Sequence, residues 1–425
     1  MTADSNDAQL LYQNGLKELG QKNYVAALTF FQKAKEKNPQ DADVWFQLGY
    51  CYSNLGRYQD AIESYTQALR IKPDDAKAHY NLGVEYGDLS RWQDAIESYK
   101  QAIRIKPDYT SAHSNLGVAY DKLGRFQDAI ESDKQAIRIK PDDAEAHYNL
   151  GLAYHKLGRY QEAIESNKQA IRIKPDFAMA HYNLGNTYGN LGRYQDKIQS
   201  YTQAIRIKPD YAEAHYGLGF TYGELGRYQD AIESYKQAIK IKPDYAEAHS
   251  NLGNAYGELG RSQDAIESYK QAIRIKPDLA EAHCNLGAAS VKLGRYKDAA
   301  ESFKQAIRIN PDYAEAHNNL GVVYGQLGRS QDAIESYKQA IRIKPNDAEA
   351  HYNLGLAYGK LGRYQDALES YKQTIRIKPN DAEAHYNLGV TYFLAGDKGS
   401  ALEEYKILKT LDTKQANKLF NLIYK

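Results

Sequence analysis

Between residues 212 and 245 the apolar residues fall into two stripes, each with the period of a helix. With this stretch numbered 1 to 34, positions 4, 7, 8, 11 and 14 (His215, Leu218, Gly219, Tyr222, Leu225) have the i, i+3, i+4, i+7 spacing of a helix buried on one side. They predict helix A. After Gly226 a wider stripe, Tyr228, Ala231, Ile232, Tyr235, Ala238 and Ile239, predicts helix B, which needs cover from its own partner and from the next unit. Asp210 with Glu213 reads as a capping box for helix A. Asp230 and Glu233 suit the positive end of helix B, and Lys240 and Lys242 its negative end before Pro243. Each charge has a structural reason, and the pattern by itself names no partner.

The same pattern recurs along the chain. All eleven prolines, from Pro39 to Pro379, and twelve glycines, from Gly15 to Gly389, keep a step of 34 residues. Twelve units over 8–415 account for 408 of the 425 residues, and a fixed period of this size means a solenoid whose units bury their apolar faces on neighbours. The expected fold class is all-α, α-solenoid: a single array over 8–415, a flexible N-terminus over 1–7 and a capping helix segment over 416–425. Asn14 and Glu18 make the first unit polar, and Asp412-x-x-Gln415 opens a closing helix with Leu419, Phe420, Leu422 and Ile423. Both ends read as caps of a complete chain. Asp133 and Asn167 at position 24, and Lys197 at position 20, break the core pattern and predict that repeats 4 to 6 are the weakest of the interior.

These residues (an aromatic-type site at 4, Leu at 7, Gly at 8, Tyr at 11, Gly at 15, Tyr at 17, Ala at 20, Tyr or Phe at 24, Ala at 27, Pro at 32) resemble the tetratricopeptide repeat over about 96% of the chain. The resemblance implies antiparallel helix pairs wound into a right-handed superhelix, helix A on the concave side, and a role in binding other proteins. One departure is systematic: from His79 to His385, position 4 is His where the family has Trp. We read these imidazoles as packed, hydrogen-bonded substitutes for indole. His155, at position 12, is expected to be exposed.

Composition narrows the function. With 55 Lys and Arg against 54 Asp and Glu, nothing chain-wide draws the protein to nucleic acid or to an anionic membrane. The N-terminal residues lack a basic end followed by an apolar stretch, which points to the cytoplasm. Neighbouring A helices about 10 Å apart cannot bring the histidines to the about 2.1 Å that zinc requires, so no metal or other cofactor is expected. Cys51 and Cys284 are too few for a disulfide framework and lie in repeats 2 and 9. No phosphate-binding loop or nucleophile elbow is present, and the repeats leave no room for a catalytic domain, so the reading is not an enzyme.

The informative surface is the part of helix A that the core does not use: positions 2, 5, 6, 9, 12 and 13. Position 6 is Asn81, Asn115, Asn149, Asn183, Asn251, Asn285, Asn319, Asn353 and Asn387, with Gly217 the one gap. Asparagine is mildly unfavourable inside a helix, and its amide can both donate to and accept from a peptide backbone. An extended segment rising about 3.3 Å per residue meets repeats about 10 Å apart at every third residue. The resemblance, which extends to the superhelix of O-linked N-acetylglucosamine transferase, also implies such an asparagine ladder. Tyr80, Tyr148, Tyr182, Tyr216, Tyr352 and Tyr386 at position 5, and Val84, Val118, Leu152, Phe220, Val322, Leu356 and Val390 at position 9, flank it. Mostly acidic position-2 residues edge the face and favour basic ligands. A clamp for a C-terminal carboxylate, another mode of the family, is half matched by Lys77, Asn81 and Asn115 and broken by Glu145. The expected function is a monomeric or weakly self-associating scaffold that binds extended or unfolded protein segments; the alternative is a repeat subunit presenting substrates to a catalytic partner such as a glycosyltransferase.

Overall fold

The computed structural model describes residues 3–424, which form 25 α-helices; no strand occurs among the described residues. In repeat 7, helix A is α13 (Ala212–Glu224) and helix B is α14 (Tyr228–Ile241), and the other interior repeats copy these bounds at steps of 34 residues. The helix that opens the chain, α1 (Ala3–Gly20), starts ahead of the first repeat; residues 1 and 2 of the segment expected to be flexible lie outside the described residues. The chain divides into two compact units, 1–210 and 211–425. The division coincides with the junction of repeats 6 and 7, as suits an architecture in which each repeat packs only on its neighbours. None of the described helices is long and apolar enough to cross a membrane.

The turn between helices A and B needs a left-handed residue at position 15. Gly226 supplies it with φ +70°, and where glycine is missing Lys22 and Ser90 are held at φ 58° and 57°. The expected capping box at Asp210 does not form, because Tyr211 occupies the N-cap position. Where Asp stands one residue later it does cap: Asp143 Oδ1 accepts the amides of Glu145 and Ala146 at 3.1 and 3.2 Å.

The core follows the two stripes with two changes. Leu225, placed in the stripe by its spacing, caps the C-terminal end of helix A and is 38% exposed. Position 3, an alanine that the stripe omitted, is fully buried, as at Ala78 and Ala316, each packed with helix B of the preceding repeat. At position 8 the absence of a side chain matters: the ring at position 24 lies in the space a Cβ would take, with Tyr337 only 2.5 Å from the Cβ that Gly321 lacks. Gly321→Ala is therefore expected to cost about 1–3 kcal/mol by overpacking, read as faster amide exchange confined to repeats 9 to 11; unchanged exchange there would refute the socket.

The chain ends on α25 (Thr413–Tyr424), which packs on α23 (Ala382–Leu394) and α24 (Lys398–Leu411). Asp412 Oδ1 caps it by accepting the amides of Lys414 and Gln415 at 2.8 and 3.1 Å. Leu419 and Ile423 are buried as their spacing predicts, while Phe420 is 40% exposed.

Candidate functional site on the helix A face

Within each unit successive A helices approach one another, as α13 and α15 (Ala246–Glu258) do, while successive B helices stay apart. Helix A therefore forms the inner row, and positions 5, 6, 9, 12 and 13 line a series of cavities along it. One of 420 Å³ is lined by Tyr80, Ser114, Asn115, Tyr148, Asn149 and Met179, among others. One of 410 Å³ lies around Asn254, Ser262 and Asn285, and smaller ones of 170 and 120 Å³ are lined by Asn251 and by Asn353. Each of these four touches a position-6 asparagine, whereas a cavity of 330 Å³ around Asp75, Lys77 and Tyr109 touches none.

The asparagines are part of the packing to an extent that helical periodicity does not reveal. Their Nδ2 groups reach back to acceptors of an earlier helix. Asn115 donates to Tyr80 Oη at 3.2 Å, Asn251 to Tyr216 Oη at 2.9 Å and Asn387 to Tyr352 Oη at 2.9 Å. Asn81 donates to Tyr65 Oη, Asn285 to Asn254 Oδ1 and Asn353 to Asn318 Oδ1, at 3.3, 3.1 and 3.3 Å. Asn319 lies against the Cys284 thiol. Asn183 is buried and donates to Asn167 Oδ1 at 3.2 Å. Asn149 makes no hydrogen bond. The amides are thus inter-helix clips, and what most of them offer outward is the carbonyl oxygen, an acceptor.

The position-5 tyrosines are likewise half-buried. Tyr80 packs on Tyr99 and Tyr109 with ring centroids 5.9 and 5.0 Å apart, and Tyr216 on Tyr235 and Tyr245 at 5.9 and 4.9 Å. Tyr148 meets Phe177, Tyr182 meets Tyr201 and Tyr352 meets Tyr371; Tyr386 packs with the C-terminal cluster. Burial raises the Tyr80 phenol above its ordinary value, and burial with Glu383 pushes Tyr352 up to about 12, so these hydroxyls stay protonated acceptors. The clamp residues are engaged as well: Lys77 Nζ sits 5.2 Å over the Phe46 ring, and Asn81 and Asn115 hold their tyrosines.

The histidines behave as the indole substitute. Trp45 Nε1 donates to the Pro39 carbonyl at 2.9 Å, and nine of the position-4 histidines place Nε2 2.9–3.3 Å from the equivalent proline carbonyl, His249 on Pro243 at 3.1 Å for example. A carbonyl only accepts, so Nε2 carries the proton. His155 is half-buried rather than exposed: Nδ1 lies 3.0 Å from Thr187 Oγ1 on the next A helix, and burial lowers its pKa.

Two features went unread in the sequence. Arginine at position 16 stacks on the tyrosine at 11 and pairs with the acid at 19, as Arg227 does over Tyr222 at 4.3 Å and with Asp230 at 2.7 Å. The serine at 23 is buried by bonding back within its helix, Ser234 Oγ to the Asp230 carbonyl at 2.9 Å. Repeats 4 to 6 hold their polar core residues unequally. Asn167 is satisfied through the Ala163 carbonyl and Asn183, and Lys197 lays its stem against Gly189, whereas Asp133 is 1% exposed with Oδ1 unpartnered.

The family described as cilia and flagella-associated protein 70 C-terminal domain, a tetratricopeptide-repeat domain, matches residues 1–216 and again residues 211–418. No curated protein matches the chain. Among solved structures, MamA is similar at 32% identity over 39% of this chain and 97% of its own, with a TM-score of 0.37. The APC/C hetero-tetramer Cut9-Hcn1 is similar at 17% identity over 100% and 97%, with a TM-score of 0.47. YrrB, described as a TPR protein with an unusual peptide-binding site, is similar at 22% identity over 44% and 96%, with a TM-score of 0.41.

Proposed function

The chain belongs to the tetratricopeptide-repeat family represented by that C-terminal domain, and from this premise we propose that it is a non-enzymatic scaffold that holds extended polypeptide segments along the helix A face. The observation that carries the reading is the coincidence of the cavities with the asparagine row. Because the Nδ2 groups are committed within the fold, the bonds offered run from peptide N–H to asparagine Oδ1. A net hydrogen bond is worth about 0.5–1.5 kcal/mol, and micromolar affinity needs about 8.2 kcal/mol after ordering the ligand. Five or more repeats must act together, with apolar burial at positions 5 and 9, so a segment of at least about fifteen residues is required. The proposal includes a cytoplasmic setting, in keeping with the free, buried thiols of Cys51 and Cys284.

The test uses random-sequence unstructured peptides of five and of twenty residues. The longer set is expected to bind at micromolar concentration and the shorter set not. Changing Asn251, Asn285, Asn319 and Asn353 together to Ala should weaken binding severalfold, with a modest loss of melting temperature from the clips removed. Tyr352→Phe removes the Asn387 acceptor but leaves the outward carbonyl, and should bind like the parent. Equal affinity of short and long peptides, or a quadruple variant that binds like the parent, would defeat the reading.

A further inference from the structure

In repeat 7 a trio of aromatic rings at positions 5, 24 and 34, Tyr216, Tyr235 and Tyr245, fills the space beneath the face. In repeat 4 the same three positions are Ser114, Asp133 and Asp143. The missing rings leave room, and the 420 Å³ cavity lies there, with Ser114 and Asp143 in its wall and Tyr80, Val118, Tyr148, Phe177 and Met179 making an apolar surround.

The polar groups at this place are left over in a specific way. In repeats 3, 7 and 11 the position-5 phenol accepts from the asparagine of the next repeat, as Tyr80 does from Asn115 and Tyr352 from Asn387, while in repeat 5 Asn167 takes that role for Asn183. Ser114 is too short to do this for Asn149, which makes no hydrogen bond, and Ser114 Oγ is closed to solvent without a partner. Repeat 8 also has a serine at this position, Ser250, but Asn254 there accepts from Asn285 instead; repeat 4 has Val118 at the equivalent place. Of the acids, Asp143 is committed to capping the next helix, and Glu145 is exposed at the rim.

We propose that this cavity binds a tyrosine side chain of the held segment, its ring taking the place of the absent Tyr and its hydroxyl accepting from Asn149 Nδ2. A volume of 420 Å³ falls in the range of about 300–1,000 Å³ of pockets that take organic groups. A phenol also matches the donor that is left without an acceptor. The inference rests on the segment-binding reading and adds an anchor residue to it.

The chain carries two methionines, Met1 and Met179, and Met179 lines the cavity, so a methyl-labelled methionine sample has one interior reporter. N-acetyl-tyrosinamide is expected to shift the Met179 methyl resonance saturably, and N-acetyl-phenylalaninamide to bind about threefold to tenfold more weakly for want of the hydroxyl. Ser114→Tyr should abolish both shifts by filling the cavity. If that variant does not fold, Asn149→Ala decides: it should bind both compounds equally. A motionless Met179 signal, equal binding of the two compounds to the parent, or tighter binding of N-acetyl-argininamide overturns the proposal. Such a failure leaves the peptide-length result standing, whereas tyrosinamide binding without any binding of the twenty-residue peptides would sink the segment reading instead.

Discussion

Asp133→Tyr is expected to slow amide exchange in repeats 4 and 5 by roughly thirtyfold or more, the equivalent of about 2–4 kcal/mol. Asp133 occupies the position that an aromatic ring takes in most repeats, against Gly117, and is 1% exposed with Oδ1 unpartnered. The substitution restores a buried ring to a socket shaped for one and removes a carboxyl that burial penalises. The pH dependence carries a distinctive sign. Burial, with Asp121 and Asp143 adding repulsion, raises the Asp133 pKa well above its ordinary value. The folded state therefore favours the protonated acid. The cost of ionisation is absent below the unfolded pKa of about 3.9 and grows as pH climbs toward the folded value. Lowering the pH from 7 toward 4 should strengthen protection in repeats 4 and 5, and Asp133→Asn should flatten that response. Exchange in these repeats no faster than elsewhere in the interior, or protection that falls with acid, would contradict the assignment.

The second large effect is at the other end. His385 is 5% exposed and sits between two acceptors, with Nδ1 2.6 Å from Glu404 Oε2 and Nε2 3.0 Å from the Pro379 carbonyl. Both nitrogens must donate, which is the imidazolium form. Glu404 chiefly, and Asp381 more weakly, raise its pKa. Glu404→Gln should cost about 3–5 kcal/mol, because it strands a buried charge, and the loss should appear as fraying of α23 to α25 while repeat 10 keeps its protection. A raised histidine pKa stabilises fully below the unfolded value of about 6.5 and loses its contribution as pH rises through the folded one. The C-terminal helices of the parent should loosen as pH rises above about 6.5 and through the raised value, and those of Glu404→Gln should not respond. A parent indifferent to pH would show that His385 is neutral.

Much of the architecture was legible in the sequence because it repeats. The proline and glycine series set the period, and residues at positions 6, 9, 12 and 13 line two of the cavities. Less legible were partners on neighbouring repeats. Helical spacing says which side of a helix Asn251 is on, but its bond to Tyr216 spans 35 residues and depends on how successive helices stack. The same reason hid the contact of His155 with Thr187, 32 residues on. Ala78 and its counterparts escaped notice because a methyl group adds little to an apolar stripe, although close helix approach requires a small residue there. The missing aromatic trio of repeat 4 could be found by comparing the repeats position by position, with Ser114, Asp133 and Asp143 read together.

The proline latch has a consequence for mild acid. Because Nε2 is committed to the carbonyl as a donor, a proton taken up by the ring goes to Nδ1, and the latch is kept rather than broken. Burial delays this step at His181 and His249, whose pKa values are lowered. Protonation of such a ring thus adds positive charge to a formal net charge of +1 without opening the junction it latches. Within each unit the latched repeats become a charge reservoir, so that electrophoretic mobility and attraction to polyanions can change while each helix pair keeps its packing.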